Sequence, residues 1–440
     1  MKRVVVWGWH SPSGLSVIKR LQERQQIEVI AWVGKAQECT HDLNEFLHQF
    51  GLGDHGYSGA AAPYYDQIYP CLPRFLELFS RVSFSMGRSF QEMLHIFNGY
   101  CDYIAAMYRD NRVDAVLFNN IPHFGVDTLL YEIAQAMGIK TVLTYQSLVP
   151  NRFFYVDRVE DFGLFTDPLP STELPFQSIE PGFRKPLFYM RNASQKREYC
   201  LLSLFNNLLR MVVLKKNKPM TLAGALHKYQ VCREYGRYAS GMQQHAPDLA
   251  ANFVYFPLQL QPELTTAALG GMYADQLLAI EHLSEMLPDD WKIYVKENPK
   301  QTRRQRDALF FQRLARVKKA QYIPATYDTY ALLEHSRFVS AVTGTVGWEA
   351  ISGGKNSLVF GKAWYRTLPG VFQYQDKPSL QEILAYRIEH HELEALYNEL
   401  MAKTVEGVMD PVYQAIVPDY DESRNVDCLE TFLRQALGLR

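Results

Sequence analysis

Short apolar runs alternate with stretches of helical spacing along this chain, which is the pattern of strand–helix–strand units built on a parallel sheet. Arg3–Trp7 is the first run; a loop from Gly8 to Gly14 and a helical pattern through Leu21 follow, and Ile27–Val33 is the second run. Val113–Asn119, a helix over Val126–Met137 closed by Gly138, and the run Lys140–Tyr145 repeat that order. Between them, Leu72–Arg109 keeps helical spacing with dense aromatics and reads as core rather than as a ligand box. A second series starts at Phe253–Pro257. It continues with a helix over Asp275–Met286, the run Trp291–Lys296, a basic helix through Arg303, Arg304, Arg306, Arg313 and Arg316, the run Ala320–Ile323 and a helix over Asp328–Glu334. Asp427–Leu437 reads as a terminal amphipathic helix.

The stretch Phe338–Trp364 carries the most chemistry. Phe338, Val339, Ala341 and Val342 suit a buried strand, Thr343–Thr345 a tight turn, Val346–Ser352 a helix stopped by Gly353 and Gly354, and Ser357–Phe360 the next strand. The N–H groups that open such a helix favour an anion. Gly344 lets a phosphate approach the backbone, Thr343 and Thr345 supply donors, and Glu349 lies one turn further in, where a carboxylate can accept from a ribose hydroxyl. An ordinary capped strand–helix–strand unit fits the local pattern equally well.

Length and charge narrow the classes. A chain of 440 residues exceeds one ordinary domain and divides most simply into two. The net charge of −1 argues against a general nucleic-acid binder, and no run of eighteen apolar residues points to a membrane-spanning helix. The opening MKRVVVWGWHSPSG reads as a strand, not a signal peptide. Six scattered cysteines with no CxxC fit reduced thiols in the cytosol. Charge is nevertheless uneven: Arg184–Arg237 holds 12 Lys or Arg against Glu198 and Glu234, with apolar residues such as Leu201, Phe205 and Met211 interleaved. A basic helical stretch of this kind, including Lys215, Lys216 and Lys218, suits an anionic membrane surface or an anionic chain. A solvated basic face is the plainer alternative.

Familiar signatures are mostly missing. The first loop is neither GxGxxG nor a P-loop. Asp419-Tyr420-Asp421 spells DxD but sits in a loop far from any strand end, so chance acidity is preferred to a metal site. Glu389-His390-His391-Glu392 is not HExxH, and no GxSxG elbow occurs. His10 and His123 fall where open α/β sheets place ligands, at the carboxyl ends of strands. For His10 a histidine bonded within its own turn is the slightly preferred reading.

Three blocks in the second half, FVYFPLQLQPELTT (Phe253–Thr266), WKIYVKENPKQ (Trp291–Gln301) and VTGTVGWEAISGGKNSLVFGKAWY (Val342–Tyr365), resemble the bacterial capsule polysaccharide biosynthesis family, which is related to the capsule Kdo transferases. The resemblance covers Phe253–Tyr365 well and the first half loosely. It implies an α/β GT-B-like fold, two Rossmann-like domains facing across a cleft, with a helical basic insertion. The implied division is an acceptor domain over 1–250 that includes 184–237, a nucleotide-donor domain over 251–415, and a tail and helix over 416–440. Lys296, Asn298, Gln259, Gln261, Glu263, Thr343, Gly344, Thr345 and Glu349 are then the donor-binding set, and Lys215, Lys216 and Lys218 the acceptor or membrane contact. Asn298 stands where the family's Lys-x-His-Pro block has histidine; it donates a hydrogen bond but carries no charge, which counts against CMP-Kdo as donor.

The implied activity is metal-independent transfer of a sugar from a nucleotide-activated donor, CMP- or UDP-linked, to a growing capsule or lipopolysaccharide glycan, with no cofactor. Lys296 and helix-end amides would stabilise the departing nucleotide, and His10 or His123 would serve the acceptor hydroxyl. The expected partners are a nucleotide sugar, a glycan or lipid-linked acceptor and an anionic inner-membrane surface, with no nucleic acid; the expected location is cytoplasmic, peripheral on that membrane. A nucleotide-sugar epimerase, a polyol-phosphate transferase and a non-catalytic member of a glycan-assembly system are the alternatives.

Overall fold

The computed structural model describes residues 1–48, 56–82, 85, 88–166, 169, 174–183, 234–242, 246–301 and 306–439. The stretch 184–233, and with it Lys215, Lys216 and Lys218, lies outside the described residues, as do Arg303 and Arg304.

Two sheets organise the chain. The first contains β1 (Lys2–Trp7), β2 (Ile27–Gly34), β3 (His41–Asp42), β4 (Ala115–Phe118), β5 (Lys140–Gln146) and β6 (Arg152–Val156). The second contains β7 (Phe253–Pro257), β8 (Lys292–Lys296), β9 (Ala320–Ile323), β10 (Phe338–Ala341), β11 (Ser357–Val359) and β12 (Val371–Gln373). A last strand, β13 (Val405–Glu406), joins the first sheet, giving the orders β13-β6-β5-β4-β1-β2-β3 and β12-β11-β10-β7-β8-β9. Pairing is parallel except at β5–β6 and β6–β13. Val4, Val5 and Val6 are fully buried, as a central strand covered on both faces requires.

Alternating residues of each strand feed two cores, one per face. In the second sheet Val254, Ile293 and Val295 pack on one side, while Tyr255, Tyr294 and Val339 pack on the other with Val346 and Ala350 of the helix Val346–Ser352. The fold is therefore GT-B-like: two Rossmann-like units, each a mostly parallel sheet with helices on both faces.

The strand runs read from sequence recur with ends moved by a residue or two, and Phe253–Pro257, Ala320–Ile323 and Val346–Ser352 recur unchanged. Leu72–Arg109 is not one helical stretch: a helix over Leu72–Phe79 ends, and a second over Phe90–Asp110 starts at Ser89 with a capping box to Glu92. β3, β6, β12 and β13 are additions to the sequence reading. β13 lies within 251–415 yet pairs with β6 of the first sheet, and the helix Glu422–Leu437 packs on the helix Pro12–Glu23.

Candidate functional site

Strand order locates a crevice in each sheet. β1 has β2 on one side and β4 on the other; β7 likewise has β8 and β10. At such a reversal the loops leaving adjacent strands diverge to opposite faces and leave a crevice at the carboxyl ends. The loops after β7 and β10 carry Gln259–Glu263 and Thr343–Glu349; those after β1 and β4 carry His10 and His123. A chain of contacts turns the two crevices toward each other. Gly125, after β4, packs against Phe79 of the helix Leu72–Phe79, and Glu77 of that helix accepts from Gln261 Nε2 at 3.0 Å. The Glu263 carboxylate lies near the Tyr145 phenol at the end of β5, whose pKa is pushed up to about 12 by burial first and by this charge second.

On the second unit, Lys296 ends β8 on the same sheet face as Tyr294, the face covered by the helix Val346–Ser352. It is 5% exposed and its ammonium makes no hydrogen bond or ion pair among the described residues. Burial pulls its pKa below the ordinary lysine value, against the opposing pull of Asp328 and Glu297. A buried ammonium without a partner is a costly group to keep and a ready anion receptor. Glu349 is 6% exposed, receives the Thr345 hydroxyl at 3.5 Å and lies near Tyr255 of β7, the strand between β8 and β10. Asn298 turns its Oδ1 to the amide of Lys300 at 2.9 Å; its Nδ2 has no partner among the described residues.

Other members of the proposed donor set hold the loops in place. Gln259 Oε1 accepts from the Thr343 amide at 2.8 Å and its Nε2 donates to Thr343 Oγ1 at 3.2 Å. The Thr343 hydroxyl in turn donates to the Thr265 carbonyl, and the Tyr365 hydroxyl donates to the Gly344 carbonyl. Gln261 bonds through both ends of its amide, to Glu77, to Gln276 Nε2 at 2.7 Å and to Arg306 Nη1 at 3.2 Å. Gln259, Gln261 and Thr343 are thus braces between loops, while Lys296, Asn298 and Glu263 keep polar ends with no partner among the described residues. Gln276, Arg306, Glu297 and Glu77 complete the bracing and had no signal in the sequence beyond their residue types.

On the first unit, His123 Nδ1 donates to the Ile121 carbonyl at 2.7 Å, which leaves Nε2 as the acceptor of the neutral ring. Burial pushes its pKa down to about 4, so the ring is neutral at pH 7. Asp127 fixes the loop: its carboxylate accepts from the amides of His123, Phe124 and Thr128 at 2.7, 2.7 and 2.8 Å. His10 follows Gly8 (φ +77) and Trp9 (φ +52); a Cβ at Gly8 would overlap Asn119, so only glycine lets the β1 and β4 loops approach this closely. His10 Nδ1 is buried without a partner, and burial, then Lys35, lower its pKa. His10 makes no bond within its own turn, contrary to the preferred reading.

The remaining motifs resolve plainly. Asp421 caps the helix Glu422–Leu437, accepting from the Arg424 amide at 2.6 Å, and Asp419 sits in the turn before it. His390–Glu392 opens the helix His390–Ala402 with exposed side chains.

Residues 215–424 match the family described as capsule polysaccharide biosynthesis protein. No curated protein matches the chain significantly. Among solved structures, the chain is similar to the β-Kdo 2,7 transferase KpsC of Thermosulfurimonas dismutans at 9% identity, covering 98% of this chain and 99% of that one with a TM-score of 0.35. It is also similar to that organism's KpsC β-Kdo 2,4 transferase (13% identity, 73% and 87% covered, TM-score 0.30) and to the UDP-GlcNAc 2-epimerase of Methanocaldococcus jannaschii (12%, 91% and 99%, 0.27).

Proposed function

Residues 215–424, a little under half of the chain, match the capsule polysaccharide biosynthesis family, and on that premise we propose that the chain is a member that transfers a sugar from a nucleotide-activated donor to a hydroxyl of a growing surface glycan. The donor lies on the second unit. Lys296 and the Asn298 amide meet the phosphate, the turn Gly344–Thr345 lies alongside, and Glu349 takes a ribose hydroxyl. The acceptor lies on the first unit, with His123 as base and His10 beside it.

In the transfer, the bond between the anomeric carbon and the phosphate oxygen breaks and leaves its electron pair on the phosphate. A bond forms between that carbon and the acceptor oxygen, and the acceptor's proton passes to His123 Nε2. Charge growing on the phosphate is met by the Lys296 ammonium in a site of low dielectric, where a fixed cation acts strongly. Lys296 fills the role a metal plays elsewhere. The basic segment 184–237 is assigned the anionic acceptor or the membrane surface on its charge alone.

The observation that carries this reading is the buried ammonium of Lys296, without a partner among the described residues and held at the carboxyl end of β8 one strand from the crevice. A thermal-shift series with CMP, UDP, GDP and CDP tests it, because a ligand bound to the folded state raises Tm. At least one nucleotide is expected to raise Tm, and Lys296→Met to abolish that rise; EDTA should leave it, and transfer, intact. No shift with any of the four would refute the assignment.

A further inference from the structure

Arg306 is fully buried at 0% exposure. Its Nε donates to Glu297 Oε2 at 2.9 Å and Nη2 to Glu297 Oε1 at 3.4 Å, while Nη1 donates to Gln261 Oε1 at 3.2 Å. Its guanidinium lies over the Phe310 ring, 4.6 Å from the centroid. Glu297 follows Lys296 and also accepts from the Asn298 amide at 2.9 Å and the Tyr322 hydroxyl at 3.2 Å. Gln261 belongs to the other loop, and its backbone N–H and C=O are both bonded by the Gln301 side chain at 2.9 Å. One guanidinium therefore joins the loop after β7 to the loop after β8, and Gln261 continues the connection to Glu77 of the first unit.

We propose that Arg306 is a positioning residue for the nucleotide: through Glu297 and Gln261 it fixes the spacing of the loops at 258–263 and 297–301, and so the place of Lys296 and Asn298, at the start of the second, relative to the first. This rests on the donor assignment above. The physical reason is the balance of a buried ion pair. Such a pair contributes little net stability compared with apolar side chains of the same volume, because both ions lose their water; what it supplies is geometry. The planar fork of arginine presents donors to acceptors on two loops in a fixed geometry, which the flexible lysine ammonium does not.

Two variants separate positioning from stability. Arg306→Met combined with Glu297→Leu replaces the pair by apolar side chains, and Arg306→Lys keeps the charge and loses the fork. The double variant is expected to hold the wild-type Tm within a few degrees. Amide hydrogen exchange of Gln259 and Gln261, measured without nucleotide, is expected to quicken at least tenfold while the β7 and β8 amides stay unchanged. Kd for whichever of CMP, UDP, GDP or CDP the wild type binds should rise at least tenfold in both variants. Exchange and Kd at wild-type values in a folded variant would overturn the proposal. Should the double variant unfold, Arg306→Lys decides by the same two readings. If the wild type binds none of the four nucleotides, the donor assignment fails, and the exchange rates still decide whether Arg306 sets the loops.

Discussion

His123 and Asp127 show how much one loop asks of its side chains. Burial lowers the His123 pKa from 6.5 to about 4 and raises that of Asp127 from 3.8 to about 6. The two act on stability in opposite directions. A histidine held neutral in the folded state gives stability that is complete above 6.5 and lost as pH falls toward 4; an aspartate with a raised pKa gives stability complete below 3.8 and lost as pH rises through 6. Their windows overlap, so a single profile would blend them. His123→Asn removes one: between pH 7 and 4.5 this variant should lose less stability than the wild type in urea titrations, and equal losses would show that the ring is not buried as described. The same two residues mark what sequence discloses at this scale. The place of His123 after the carboxyl end of β4 was legible because the apolar run before it marks the strand. Asp127 and Arg306 were not, because a carboxylate in a first turn and an arginine among other basic residues look like solvated surface until the fold brings amides or a second loop against them.

At the scale of elements, the helix Val346–Ser352 was read with its ends unchanged, because the turn Thr343–Thr345 and the pair Gly353-Gly354 bracket it. The helical spacing and core role of Leu72–Arg109 hold, but both helices keep that spacing, so the break between them was written in Ser89-x-x-Glu92, a capping box, and not in the hydrophobic pattern. Two-residue strands such as β3 and β13 carry no periodicity to detect. Within the helix Val346–Ser352, Gly347 meets the next elements so closely that an added Cβ would overlap the Tyr365 hydroxyl and approach Ser357 Oγ. The Tyr365 hydroxyl is the one that holds the Gly344 carbonyl. Gly347→Ala must push the helix or release that bond, and overpacking of this kind costs about 1–3 kcal/mol. A lower urea midpoint and a weaker nucleotide-induced Tm shift are expected together. A wild-type midpoint would mean that the helix has room to move and does not fix the Gly344–Thr345 turn.

At the scale of the whole molecule, the amphipathic pattern of Asp427–Leu437 announced an apolar face in the helix Glu422–Leu437 but not the distant part of the chain that covers it. Val426, Leu429, Phe432, Leu433, Ala436 and Leu437 pack with Val4, Val6, Trp9, Val17, Ile18 and Leu21, and Phe432 lies 6.5 Å from Trp9 in a stacked pair. Arg20 and Asp427 meet at 2.7 Å, and Asn425 Nδ2 donates to Ser13 Oγ at 2.8 Å. These contacts close one face of the first sheet and press on the residue before His10. Removing the six apolar side chains withdraws on the order of 10 kcal/mol of burial, which is comparable to the stability of an ordinary domain. A chain ending at Asp421 should therefore lose the cooperative melting of the first unit, while the second sheet, whose cores contain none of these residues, keeps its own transition. Calorimetry of the truncated chain would show one transition in place of the full protein's, and a peptide of residues 422–440 added in trans should restore the missing one. An unchanged melting profile would mean that the helix is an appendage. On the contacts described it is instead the closing wall of the first unit, so under the proposed function the truncated chain is expected to bind nucleotide through Lys296 and to transfer no sugar.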